Sequence, residues 1–418
     1  MENAVIQSAD QLMQLVGLVI LAGLIFTKIS DIIKLPDVVL YIFAGILLGP
    51  NLLDWVNIDK YPVENQMILS FGAAYILYDG GREIDLKILN KVKVSVGLLS
   101  TIGVFISTLI VGYFAKIVFD IPFEYALLMG AVIASTDPSV LVPLFKKMNI
   151  SSKLKQTIIS ESAFNDAAGA IVTFSIIGVI LGGEFSVADS LLELARTMIG
   201  GLFIGAVIGY FTHMLIDEKK RGVLKEHPAE LILVSVIGAY LISNHFGFSG
   251  FMAVFIVGMF CGNKKIFKFW IPEESFQTHL RFKEILTIIL RMMIFILLGT
   301  NLDFNILLEN FVPTMLVVGV LIFIARPISV LFSVVIDKQA QWTWKEIVYL
   351  MWVRETGVIP AALAGMLMTS GIEHADIISS VTFATILVTL TFQASTSGFL
   401  ARLLKLEVDV IDKQRIKK

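Results

Sequence analysis

The chain has 418 residues, 56% of them hydrophobic and 16% charged, with a mean hydropathy of +0.82 and a formal net charge of −2. That composition excludes a soluble core and a nucleic-acid surface, and the lone Cys261 excludes an intrachain disulfide framework. Apolar runs of about 20 residues, separated by short polar punctuation, instead read as an all-α polytopic membrane protein in contact with membrane lipid.

In chain order the apolar pattern predicts thirteen transmembrane helices. Their approximate limits are 12 to 33, 36 to 50, 62 to 79, 93 to 118, 122 to 147, 154 to 181, 190 to 215, 228 to 245, 248 to 262, 278 to 300, 306 to 335, 344 to 369 and 376 to 404. Met1 to Asp10 lacks the basic start of a signal peptide. Threading the chain through these spans puts 27 of the 33 Lys and Arg residues on one side, and only Lys60 and Lys116 on the other. Cytoplasmic loops collect basic residues, so the N-terminus is expected outside and the C-terminus in the cytoplasm.

The fifth predicted helix is interrupted at Ser135-Thr136-Asp137-Pro138-Ser139, and the twelfth at Arg354-Glu355-Thr356-Gly357-Val358-Ile359-Pro360, about 220 residues later. Proline and polar neighbours at bilayer depth remove helix hydrogen bonds, a pattern tolerated only where the backbone is buried in protein or lines a cavity. An odd helix count with two matched breaks fits two inverted repeats whose discontinuous helices 5 and 12 cross at a transport site.

The sixth helix carries Glu161-Ser162-Ala163-Phe164-Asn165-Asp166 inside an oily stretch. Glu161 and Asn165 are four residues apart, as are Ser162 and Asp166, so two adjacent polar stripes face the protein interior. Ionised groups at this depth cost several kcal/mol and usually mark an ion or proton pathway. A dehydrated Na⁺ or K⁺ needs oxygen ligands, and the candidates are the Asp166 carboxylate, the Ser162 hydroxyl, a carbonyl freed near Thr136, and Asp137. Because proton and cation compete for one carboxylate, alternation between them is itself an exchange mechanism. With Asp166 alone changing occupancy, the exchange moves no net charge.

Thr136-Asp137-Pro138, the Glu161 to Asp166 motif and Ala325-Arg326-Pro327 together resemble the cation:proton antiporters of the NhaP and eukaryotic sodium/proton exchanger type. This is the branch marked by Asn-Asp where the electrogenic branch has Asp-Asp. The resemblance spans essentially the whole chain. It implies an electroneutral Na⁺(Li⁺)/H⁺ antiporter, not an enzyme and without a cofactor, a homodimer of a prokaryotic plasma membrane whose shared carboxylate is Asp166. It further implies that Asn165 steadies the unwound chain and that Glu161 forms an ion pair. Residues 1–405 then form the antiporter domain and 406–418 a short tail. The core bundle, about 93–181 and 306–404, moves like an elevator against a scaffold, about 12–79 and 228–300, joined by a linker helix at about 190–215.

The family's usual pattern has Arg immediately before the glycine of the twelfth-helix motif, where this chain has Thr356. The partner of Glu161 is therefore Arg354 or Arg326. Asp79, before Gly80-Gly81-Arg82, reads as a solvated cap or an ion-entry group, and Glu193 with Arg196 as a structural pair. K⁺(Rb⁺)/H⁺ exchange is the nearest alternative, followed by a Na⁺-coupled organic-anion symporter and, further off, a channel, for which no filter segment is present.

Overall fold

The computed structural model describes the chain apart from residues 1, 34, 51, 58–60, 138–144, 146–149, 183–186, 220–221, 272, 301 and 408–418. The side chains of 2–11, 187–191, 193 and 194 likewise lie outside the described residues. Among the described residues the protein is helical, with only an isolated antiparallel bridge between Ile150 and Glu407 outside that pattern.

The helices are α1 (Glu2–Ile33), α2 (Asp37–Leu48), α3 (Pro62–Arg82), α4 (Leu86–Phe119), α5 (Phe123–Val132), α6 (Ser152–Ile180) and α7 (Val187–Ile216). They continue as α8 (Pro228–His245), α9 (Gly250–Gly262), α10 (Glu273–Thr300), α11 (Phe311–Val334), α12 (Trp344–Trp352), α13 (Val358–Thr369) and α14 (Ala375–Leu403). A short turn, Phe304–Glu309, precedes α11. Seven of these elements contain spans long and apolar enough to cross a membrane, and α2, α5, α9 and α13 are shorter apolar helices. The protein is a multi-pass membrane protein.

Local signals set several helix ends. Asp85 caps α4 by accepting from Lys87 N at 2.8 Å and Ile88 N at 3.3 Å, so this helix begins seven residues before the predicted position 93. The apolar pattern missed those first two turns because Lys87, Asn90 and Lys91 interrupt it. Ser151 caps α6 and Ser249 caps α9, each accepting from the backbone three residues on. Thr343 and Glu346 form a reciprocal capping box at the start of α12.

Close packing joins α3 and α9, where small residues replace side-chain bulk. A methyl group on Gly81 would overlap the backbone of Phe255, and one on Gly258 the backbone of Tyr78. Without a hydrophobic driving force between helices in lipid, such close backbone approach supplies the dispersion contacts that hold a bundle together. Helices α2 and α10 pair in the same manner. α6 lies against this unit through Ala163 beside Gly80 and through Phe164, whose ring meets Phe255 edge to face at 4.7 Å. α13 packs on α3 and α10, with Asn65 Nδ2 donating to Thr369 Oγ1 at 2.9 Å.

Candidate functional site

Two helix breaks, distant in sequence, meet beside the acidic helix. α5 ends at Val132, and Ser135, Thr136 and Asp137 follow without helical structure; Pro138 and Ser139, part of the expected break, lie outside the described residues. α12 ends at Trp352 and α13 begins at Val358, leaving residues 353–357 unwound. The two join directly: Asp137 N donates to the Glu355 carbonyl at 2.8 Å, and Val358 N donates to Asp137 Oδ2 at 3.2 Å. Gly357 is required by that approach, since a methyl group there would coincide with the Asp137 side chain.

Each break exposes backbone groups that must find partners in an interior without water. α6 supplies them for the first. Asn165 Oδ1 accepts from Thr136 N at 3.1 Å, Asn165 Nδ2 donates to Thr136 Oγ1 at 2.9 Å, and the Ser162 hydroxyl donates to the Thr136 carbonyl. α14 does the same for the second. Thr389 Oγ1 accepts from Thr356 N at 3.1 Å, and Gln393 Nε2 donates to the Trp352 carbonyl at 2.7 Å. Sequence reading passed over Thr389 and Gln393, although their i, i+4 spacing repeats the polar stripe of α6; neutral side chains in an apolar helix carry a weaker signal than charged ones.

The buried charges are arranged around these joints. Glu161, 2% exposed, is bonded twice by the Arg326 guanidinium, through Nη1 to Oε1 and through Nη2 to Oε2 at 3.0 Å. The same guanidinium reaches the Leu350 carbonyl at 3.0 Å and that of Val353 at 3.3 Å. Arg326 is aimed by a π turn at Leu321–Ala325, which relieves the clash that Pro327 would make with a regular preceding turn.

Of the two arginines considered for Glu161, Arg354 is the one the structure directs elsewhere. Its Nη2 donates to the carbonyls of Ile133 at 2.6 Å and Ala134 at 2.9 Å, and its Nη1 to Thr356 Oγ1 at 3.3 Å. It therefore covers the negative end of α5. The two-residue displacement from the family position is absorbed because the segment is unwound, so helical rotation does not dictate direction.

Asp166 is 8% exposed, and its Oδ1 has no hydrogen-bond partner. Ser135, whose hydroxyl is buried, lies beside this carboxylate, and Asp137 is the charged group that acts on it. Ser135 was not among the sequence candidates. Thr136, Asp137, Ser162, Asn165 and Asp166 thus come together, with the Thr136 carbonyl and Ser162 hydroxyl bonded to each other. Their remaining oxygen lone pairs, with Asp166 and Ser135, form a donor set of oxygens alone, which suits a hard monovalent cation.

Asp79 stands apart from this cluster and is no solvated cap. α3 continues to Arg82, and the Asp79 carboxylate is held by Lys283 Nζ at 2.8 and 3.0 Å and by Arg82 Nε at 3.3 Å. The Glu193 side chain, expected to pair with Arg196, lies outside the described residues.

Comparison with known proteins gives this arrangement a lineage. Residues 16–403 match the profile of the family described as sodium/hydrogen exchanger, transmembrane. The chain is similar to Na(+)/H(+) antiporter 1 of Methanocaldococcus jannaschii, with 29% identity covering 92% of this chain and 94% of that protein. It is also similar to the K(+)/H(+) antiporter NhaP of Alkalimonas amylolytica, with 27% identity covering 94% of this chain and 67% of that protein. Its fold superposes on the structure of the sodium proton antiporter MjNhaP1 from Methanocaldococcus jannaschii at pH 8 with a TM-score of 0.81. That match has 28% identity and covers 94% of this chain and 99% of that one. The chain belongs to the transmembrane sodium/hydrogen exchanger family, as a cation:proton antiporter of the NhaP type.

Proposed function

We propose that the protein exchanges Na⁺ or Li⁺ for H⁺, one for one, through the single carboxylate of Asp166. The observation that carries this reading is the unpartnered Asp166 Oδ1 at the meeting point of the two breaks. A carboxylate so buried is costly unless it holds something, and a proton or a monovalent cation each answers its charge. The cation is held by Asp166 with oxygens from Ser135, Ser162 and the Thr136 carbonyl, while Asp137 orients the break through its bond to Val358 N.

The companion residue on the motif is Asn165, which is neutral and spent on Thr136. Only one carboxylate of the pair alternates its cargo, so the loaded site carries the same charge in either direction. Such a cycle does not couple to the membrane potential, which would otherwise contribute about 2.3 kcal/mol per charge per 100 mV. Alternating access comes from an elevator-like movement of α4 to α6 and α11 to α14 against α1 to α3 and α8 to α10, within a homodimer in the plasma membrane. The N-terminus is outside and the C-terminus cytoplasmic.

Proton flux in proteoliposomes with an imposed pH gradient tests this, with Na⁺, Li⁺, K⁺ and Rb⁺ added in turn. Flux triggered by Na⁺ and Li⁺ and indifferent to a potential set with potassium and valinomycin is the expected result. A response to K⁺ and Rb⁺ alone would reassign the cargo to potassium, the cation named for the Alkalimonas relative. Voltage-dependent flux would end the one-for-one scheme.

A further inference from the structure

The proposed core and scaffold are joined, between α3 and α4, by a very short stretch of chain. Glu83 still has helical backbone angles, φ −77° and ψ −8°, and Asp85 already caps α4, so Ile84 alone lies between the two helices. Three residues reach about 10 Å when fully extended, and these are not extended. The start of α4 is therefore tethered closely to the end of α3.

That end of α3 is itself fixed to the scaffold. Methyl groups on Gly81 and Gly262 would overlap the backbones of Phe255 and Arg82, and Asp79 is held by Lys283 of α10. Asn263, which follows α9, carries the hold across the junction. It is buried, and its Nδ2 donates to the carbonyls of Ile84 at 2.8 Å and Met259 at 3.0 Å, while its Oδ1 accepts from Leu86 N at 3.1 Å. One scaffold side chain thus grips the backbone on both sides of Asp85, where the core begins. The core's own polar hold on the junction is longer, with Gln156 Nε2 of α6 reaching the Glu83 carbonyl at 3.5 Å.

We propose that Asn263 is a positioning residue for exchange, which pins the α3–α4 junction to the scaffold and makes it the pivot about which the core turns. The inference rests on the reading that the core moves against the scaffold. An anchorage of this kind lets α4 rotate about its first turn and prevents it from sliding past α9. Gln156 marks the level of the junction on α6, and Asp166 lies about 15 Å further along that helix. A turn at the pivot therefore displaces the cation site while the start of α4 stays in place. Without the grip, the Ile84 carbonyl and Leu86 N lose their partner and α4 slides as well as turns, so fewer excursions of the core carry the site across. Asn263 bonds to the junction and to its own helix, not to the cation ligands, and so acts on the rate of movement rather than on binding.

Exchange in proteoliposomes, compared at equal amounts of folded protein, reads this role. Asn263→Ala is expected to lower the maximal rate several-fold at the wild-type apparent KM for the cation. In a background with Cys261→Ser, the pair Leu86→Cys and Asn263→Cys should show the same loss while reduced. A disulfide or short thiol cross-linker between them replaces the missing grip and should restore the rate. This cross-linked pair carries the test where Asn263→Ala does not fold.

A wild-type maximal rate in folded Asn263→Ala, or a loss of activity that lies in KM alone, would overturn the positioning role. Arrest of exchange on cross-linking Leu86→Cys to Asn263→Cys would show that the start of α4 slides along α9, and would overturn the pivot. Undiminished exchange in protein cross-linked across α3 and α13, through Asn65→Cys and Thr369→Cys, would instead overturn the core movement on which the pivot stands.

Discussion

At Asp166 a proton and a cation compete for one carboxylate, and that competition has a measurable form. On the acid side of the carboxyl's titration, each added pH unit is expected to lower the apparent cation KM about tenfold, while the maximal rate changes far less. A KM independent of pH across that range would show that the two ligands do not share the group. Asp166→Asn should abolish exchange in a protein that still elutes as a folded species.

Glu161 plays a different part, because its charge is answered twice by Arg326. Glu161→Ala strands a buried guanidinium and should cost about 3–5 kcal/mol of stability, whereas replacing both partners with apolar residues should recover most of it. Thermal melting of the single and double variants in detergent checks this; equal melting temperatures for wild type and Glu161→Ala would reject the pairing as a source of stability. Asp166, Asp137 and Glu161 were legible in the sequence because charge inside an apolar helix is conspicuous. The choice between Arg326 and Arg354 was not, since it depends on where an unwound segment turns.

Among the elements, α6 and α14 act as splints for the two breaks. Substituting Gln393 by Leu frees the Trp352 carbonyl, and substituting Thr389 by Val leaves Thr356 N without its acceptor. Each buried group left unsatisfied costs about 1–3 kcal/mol. Both variants should therefore melt earlier and exchange more slowly, although neither residue belongs to the proposed cation ligands. Wild-type melting and rates in both would deny α14 this role.

Most helices were readable to within a few residues from hydropathy and punctuation, as with α8, which matches the predicted 228 to 245, whereas α4 begins seven residues early and α5 ends at Val132. The π turns were not readable. That at Leu321–Ala325 follows from the backbone's response to Pro327, and that at Thr389–Ala394 has no single sequence cause. The closeness of the α3 and α9 backbones was likewise hidden, because glycines in apolar helices look alike until their partners are known.

At the scale of the whole molecule, the elevator scheme requires α13 to move past α3. Their bond between Asn65 and Thr369 offers a handle. In a background with the buried Cys261 replaced by Ser, Asn65→Cys and Thr369→Cys joined by a short thiol cross-linker should stop exchange, and a reducible linker should restore it on reduction. Undiminished exchange in fully cross-linked protein would reject relative movement at this contact.

The two breaks are bonded reciprocally. Asp137 N is satisfied by Glu355, Val358 N by Asp137, and the end of α5 by Arg354. Half of this chain on its own would present bare peptide groups to hydrocarbon, which no lipid can satisfy. Neither half of this chain is therefore expected to insert as a folded unit without the other.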